Sequence, residues 1–359
     1  MDVYTLTTVT RLSDLEDWSQ PWQNLCKASS HCHALMSYEW LSNFFKHYSH
    51  EGQWCVIFAK RDARLVGVLP LTIHSRRFTA SIVKYGKTPY NHQTLSVEPI
   101  IADDHYDDTF EALIQAAWSQ GLSAIEIPRL DKGSPGFRHV QGTLRLSDYC
   151  EDGASMSAIN DYDGYLTHLS KNFKANLNKA RNKIKKLGDV QFFDARNTAD
   201  PNAELQTFMT VESSGWKGAE GSAIVCHPQD VAFFSDVVTD LNSSGSVYFH
   251  HLKVGDRVVA SNLGLLFKNT LLLWKLGYDD EFKKLSPGNL LIENLIKHHE
   301  NDETPPAIDL MTSETWYNNW GMNWRPFYNG FIFNSSMAGV LQYGFFRLKF
   351  FIKKLVKSS

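Results

Sequence analysis

Between Val247 and Tyr278 the chain commits itself to sheet. Three apolar, β-rich runs, Val247 to Leu252, Val258 to Phe267 and Thr270 to Tyr278, are separated only by Val254-Gly255-Asp256 and by Lys268-Asn269. Connections this short join antiparallel neighbours, because a parallel pair needs a crossover of a dozen or more residues. The runs therefore predict an antiparallel meander. It leads through Leu285-Ser286-Pro287-Gly288 into an amphipathic helix, Asn289 to His299, and on to a short apolar strand, Ala307-Ile308-Asp309-Leu310. Hairpins, a helix and a closing strand in that order belong to an α+β domain.

The first half repeats the order. Tyr38 to Tyr48 carries Trp40, Phe44, Phe45 and Tyr48 at helical spacing. Trp54 to Ala59 and Leu65 to Ile73 form a hairpin around Lys60-Arg61-Asp62-Ala63-Arg64, and a looser segment then passes Pro89 and Pro99. Asp107 to Gln120 reads as a helix capped by Asp and closed by Gly121, and Ala124-Ile125-Glu126-Ile127 as a short buried strand echoing Ala307-Ile308-Asp309-Leu310. The polar stretch Asp148 to Gly164 marks a boundary, and a helix over Leu166 to Leu187, stopped by Gly188, opens the second half. The expected division is a first domain over 1–150, a second over 160–333 and a basic amphipathic tail over 334–359. The repeated order predicts a duplicated α+β domain.

At 43% apolar and 21% charged residues the chain has ample material for a core, and disorder is excluded. A net charge of −3 argues against a surface built to grip nucleic acid. Five scattered cysteines without C-x-x-C spacing indicate neither a disulfide framework nor a cysteine-based zinc site, so no metal is expected. Met1 to Gln20 carries four acids and no apolar run, which rules out a secretory signal and leads to a cytoplasmic expectation. After Glu314 no acid follows, while Arg325, Arg347, Lys349, Lys353, Lys354 and Lys357 do. The segment Leu341 to Lys357 mixes the last five of these cations with Phe345, Phe346, Leu348, Phe350, Phe351, Ile352, Leu355 and Val356. It suits either a bilayer interface, as a peripheral contact, or a terminal helix docked on the second domain.

Several residues have chemistry to offer. The loop Lys283-Lys284-Leu285-Ser286-Pro287-Gly288-Asn289 lies between a strand and a helix, where unpaired N–H groups and the helix dipole favour an anion. Gly288 allows close approach, and the two lysines add charge; the plainer alternative is a Ser286 cap with Pro287 at the first turn. The helix around Lys171, Lys174, Lys179, Arg181 and Lys183 has no acid, so it either meets phosphates or is a solvated face. Glu212-Ser213-Ser214-Gly215-Trp216-Lys217-Gly218 is a glycine-flanked turn presenting Trp216 and Lys217 for ligand contact. By strict alternation Trp274 and Lys275 face opposite sides of their strand, and Lys275 asks for an anionic partner.

An antiparallel meander feeding such a loop resembles the core of the GNAT acyltransferases, whose loop reads Arg/Gln-x-x-Gly-x-Gly/Ala; Lys283, Ser286 and Gly288 fall at its three positions. Leu169-Ser170-Lys171-Asn172-Phe173-Lys174, Gly215-Trp216-Lys217-Gly218, Lys275-Leu276-Gly277-Tyr278-Asp279, Leu285-Ser286-Pro287-Gly288 and Asp309-Leu310-Met311 stand in the order seen in the CelD-like, FemAB-related branch of that superfamily. The resemblance covers about Tyr165 to Trp324. Where that branch has an aromatic-Lys pair after the Asp-Leu-Met segment, Trp316-Tyr317 stand here.

The resemblance implies tandem GNAT-like domains, each a mostly antiparallel mixed sheet flanked by helices, the first degenerate. It also implies an acetyl-CoA or other acyl-CoA donor without a metal, and N- or O-acylation of a sugar-containing precursor in surface polysaccharide or envelope biosynthesis. In that setting Lys284, Ser286, Gly288 and Asn289 hold the donor diphosphate, with Lys174, Trp216, Lys217 and Lys275 as substrate contacts. Tyr278 becomes the acid, and Glu212 or Asp309 the base. The first domain would form the other wall of a cleft. Two alternatives stay open: a Fem-like transfer from aminoacyl-tRNA, and a non-catalytic, membrane-associated component of a polysaccharide assembly.

Overall fold

Tight turns and apolar alternation set the strands in the computed structural model, which describes residues 4–78 and 81–358. The chain divides into two units, Met1–Asp152 with Arg325–Ser359, and Gly153–Trp324. Residues 325–333, assigned above to the second domain, thus fall in the first unit.

The first unit opens with β1 (Thr5–Val9), then α1 (Tyr38–Tyr48), whose N-cap Ser37 accepts a hydrogen bond from the Trp40 amide. Strands β2 (Trp54–Arg61) and β3 (Arg64–Phe78) are antiparallel around Asp62-Ala63, both in the left-handed region at φ 50 and 63°. Strand β3 runs past the expected Ile73 and pairs with β4 (Ser81–Lys87), which the sequence reading did not find. Helix α2 (Tyr106–Trp118) then leads to β5 (Ala124–Asp131), which lies parallel to β4 with Tyr85 opposite Ala124. The expected Asp cap of α2 is corrected: His105 holds that position without a side-chain bond, and Asp107 and Asp108 sit in the first turn, where the dipole favours them. Strand β6 (Arg145–Met156) crosses the stretch expected to be a linker.

The second unit begins with α3 (Tyr162–His168) and α4 (Lys171–Ile184), not with one helix over 166–187. Ser170 takes an extended conformation and its side chain accepts from the Phe173 amide, so a new helix starts there. Next come β7 (Val190–Ala195), α5 (Pro201–Ser213), the short α6 (Trp216–Ala219) and α7 (Pro228–Asn242). The meander is as expected: β8 (Val247–Val254), β9 (Arg257–Phe267) and β10 (Thr270–Tyr278) pair antiparallel in succession, with β7 along the outer edge of β8. Helix α8 (Pro287–His299) carries the chain back to β11 (Ala307–Asp309), parallel to β10. Phe173, Leu177, Leu271, Leu273, Ile292, Leu295 and Trp320 form the core beneath α4 and α8.

The chain returns to the first unit as β12 (Asn323–Phe333), antiparallel to β5, and ends in α9 (Met337–Ser358). Each unit thus has an outer strand, an antiparallel meander, a helix and a parallel return strand. The echoing segments Ala124-Ile125-Glu126-Ile127 and Ala307-Ile308-Asp309-Leu310 occupy equivalent places, since a helical crossover returns its strand parallel to the one it left. Mixed, mostly antiparallel sheet flanked by helices is the fold class expected. The tail reading changes in one respect. Helix α9 packs within the first unit, where Phe346 meets Ala124 and Phe333, in place of the expected docking on the second domain.

Candidate active site

The start of α8 is built around an unusual residue. Ser286 is in the left-handed region at φ 49°, and its side chain caps nothing. Its carbonyl accepts from both the Asn289 and Leu290 amides, and Pro287 has no N–H. Gly288 therefore supplies the helix-start amide that faces no protein acceptor among the described residues. A cluster of free amides, as the sequence suggested, reduces to this one. A side chain at Gly288 would meet Leu276 at 3.1 Å, so glycine keeps the helix start close against β10.

Beside this amide lies a cavity of about 210 Å³ lined by Leu276, Tyr278, Lys283, Ser286, Pro287, Gly288, Asn289 and Trp316. Lys283 and Ser286 are exposed at its edge. Asn289 is fixed by the Trp320 indole N–H, which donates to Asn289 Oδ1 at 3.0 Å. Of the four residues expected to hold a diphosphate, Ser286, Gly288 and Asn289 line the cavity. Lys284 is exposed but does not line it, and the neighbouring Lys283 does.

A second group forms where α5 meets β10. A Cβ at Gly277 would stand 2.8 Å from Glu212 Cα and 2.9 Å from its amide nitrogen, and one at Gly215 would stand 2.6 Å from the Tyr278 carbonyl oxygen. The two backbones touch because glycine faces each. Glu212 is buried; its Oε1 accepts from Lys217 Nζ at 2.9 Å and its Oε2 from the Ile224 amide at 2.9 Å. Lys217 also donates to the Leu276 carbonyl at 3.1 Å. Gly277→Ala must push backbone from backbone, and about 1–3 kcal/mol of stability should go with it; urea denaturation of the variant measures this.

Lys275 is half-buried in the same group. Burial, and then the Lys217 ammonium, push it down to about 8 from 10.5, against the attraction of Glu212 and of buried Asp230. Its side chain does not point away from Trp274 as strict alternation required. Lys275 pairs with Leu263 and Leu273 with Gly264, so Trp274 is an extra residue, a β-bulge, and Lys275 Nζ sits 5.6 Å from the Trp274 ring centre.

The remaining expectations separate from these two groups. Trp216 is 45% exposed at the start of α6, beside Lys217. Asp309 is buried and accepts from the Met311 amide at 2.9 Å. Register puts Asp309 opposite Leu272, about 20 Å along the strand from Tyr278. Lys174 is half-buried on α4 and does not line the cavity. Sequence reasoning missed Glu293, a buried acid on α8 that accepts from Arg181 and from the Tyr162 hydroxyl and so ties α4 to α8. Its signal was an acid between Ile292 and Leu295 in the apolar stripe of α8. Among the described residues no group of three His, Cys, Asp or Glu converges as metal ligands.

Residues 171–319 match the family model described as Acetyltransferase (GNAT) domain. No curated protein matches the chain. Among solved structures, the chain is similar to FemX, with 11% identity and a TM-score of 0.58, over 86% of this chain and 95% of that one. It is also similar to the C-terminal domain of a putative lysylphosphatidylglycerol synthetase from Agrobacterium fabrum, with 11% identity and a TM-score of 0.55, over 91% and 95%. L-PGS from Bacillus licheniformis follows at 12% identity and a TM-score of 0.51, over 93% and 96%. At such identities these likenesses speak to the fold.

Proposed function

We propose that the chain, whose residues 171–319 match the GNAT acetyltransferase domain model, transfers an acyl group from acetyl-CoA or another acyl-CoA to an amine or hydroxyl of a sugar-containing envelope or surface-polysaccharide precursor. The supporting observation is the cavity at the start of α8, where a free Gly288 amide, a helix N-terminus and the Lys283 ammonium face the same space. That space suits the diphosphate end of the donor, and β10 runs from it toward Lys275. The acceptor's nitrogen or oxygen attacks the thioester carbonyl, the C–S bond breaks, and the departing thiolate takes a proton from the Tyr278 hydroxyl. Glu212, whose backbone abuts Gly277 next to Tyr278, takes the nucleophile's proton, giving up one of its two hydrogen bonds to do so; Asp309 holds the Met311 turn. The sugar acceptor rests on the sequence resemblance described above.

Thiol release from acetyl-CoA with a panel of amino sugars and sugar nucleotides is the direct test, alongside CoA-induced thermal stabilisation. The absence of both removes the donor assignment. Lys283→Gln takes one exposed charge from the cavity edge, and a roughly two- to five-fold rise in KM for the donor with kcat unchanged is expected.

One observation favours a second reading, transfer from aminoacyl-tRNA. Helix α4 exposes Lys171, Lys179 and Lys183 and carries no acid, and Lys185 and Lys186 follow it, also exposed. A donor pool that loses activity on ribonuclease treatment selects this reading, and one that keeps it selects acyl-CoA.

A further inference from the structure

Helix α9 has two apolar faces, and the fold accounts for one. Phe346 is buried against Ala124 and Phe333, Gln342 is buried beside it, and Lys353 pairs with Asp148. Away from this face Leu341, Leu348, Phe351 and Ile352 are 50–59% exposed, and Phe345, at 54%, keeps one edge against Phe78. Their steps of three and four residues make one stripe, its centre turned about 150° from Phe346 at 100° per residue. An apolar stripe of this size left in water marks a contact surface.

Charge identifies the occupant. Arg347 and Lys349 are exposed and flank the stripe on either side, and from Thr315 onward the sequence has no acid. A second copy of the helix would bring cations against cations, whereas anionic headgroups would satisfy them. Among the described residues no helix is long and apolar enough to cross a membrane, so α9, about 33 Å long, can lie along the surface but not span. Beside it a groove of about 530 Å³ runs between Leu146 and the pair Leu348 and Phe351, with Arg347 at its rim.

We propose that α9 docks the protein on an anionic phospholipid bilayer, with the Leu341-to-Ile352 stripe in the acyl boundary and Arg347 and Lys349 at the phosphates. This goes beyond acyl transfer and does not depend on it. The test is cosedimentation of the full chain with vesicles of phosphatidylcholine alone and of phosphatidylcholine mixed with phosphatidylglycerol. Binding at least about tenfold stronger to the mixed vesicles is expected, weakening with salt. Arg347→Gln with Lys349→Gln should weaken it about 30-fold, at roughly five-fold per cation. Leu348→Glu with Phe351→Glu should reduce it to background while the thermal unfolding midpoint stays at the wild-type value, because neither side chain is in the core. Equal binding to both vesicle types overturns the proposal. So does a wild-type dimer that the Leu348→Glu, Phe351→Glu variant loses while vesicles bind neither form, since the occupant is then a second copy.

Discussion

Lys275→Met is expected to stabilise the protein at pH 7 by about 3 kcal/mol and to cost it activity. An ordinary lysine titrates near 10.5, and in the folded chain burial and Lys217 bring Lys275 to about 8. Between these values the unfolded chain binds the proton that the folded chain has released, so stability rises with pH across that window. At pH 7 both states are charged, and the folded state bears the full cost, about 3 kcal/mol for a gap of this size. Methionine keeps the length and apolar body of the side chain without the charge. Urea denaturation should show wild-type stability climbing from pH 8 to pH 10 and the variant flat over the same range. A variant no more stable than wild type at pH 7 would mean that the ammonium is solvated, and the argument fails. A cation held at this cost beside a bulge, next to Glu212 and Lys217, points to use in the site, and thiol release is the readout for the loss.

What sequence could and could not reveal follows from the range of the interactions involved. The meander was legible because turn chemistry and period-two alternation are local; β10 begins at Thr270 and ends at Tyr278 as read. Helix α1 was legible for the same reason, from Trp40, Phe44, Phe45 and Tyr48 at helical spacing. The break at Ser170 was hidden because the apolar spacing runs through it, and only the cap geometry shows that the helix restarts. The bulge at Trp274 was invisible, since it depends on Leu263 and Gly264 in the facing strand. Around the site, the residue types were legible but their pairing was not. Gly277 next to Tyr278 gave no hint that it rests on Glu212, because that contact joins elements 65 residues apart. Lys283 and Lys284 are adjacent cations of one loop, and the direction of the turn before Ser286 decided which faces the cavity.

Glu212→Gln is expected to cost about 3–5 kcal/mol at pH 7. The substitution keeps the shape and a hydrogen-bond acceptor for Ile224 or Lys217 but removes the negative charge buried beside two ammonium groups. A buried cation left without its partner is worth this much, whereas removing both members of such a pair is close to neutral. Glu212→Gln with Lys217→Met should therefore recover most of the stability lost by Glu212→Gln alone, and the difference between single and double variants gives the coupling energy. The pH response sharpens the test. Glu212 holds the Lys275 value up, so without it Lys275 falls below about 8, and the rise of stability with pH should begin earlier in the single variant than in wild type. Activity then separates two roles. If Glu212 takes the nucleophile's proton, the double variant is stable and inactive. If it only neutralises the Lys217 ammonium, the double variant regains turnover with its stability, and the base must be sought elsewhere on β10 or in the acceptor itself.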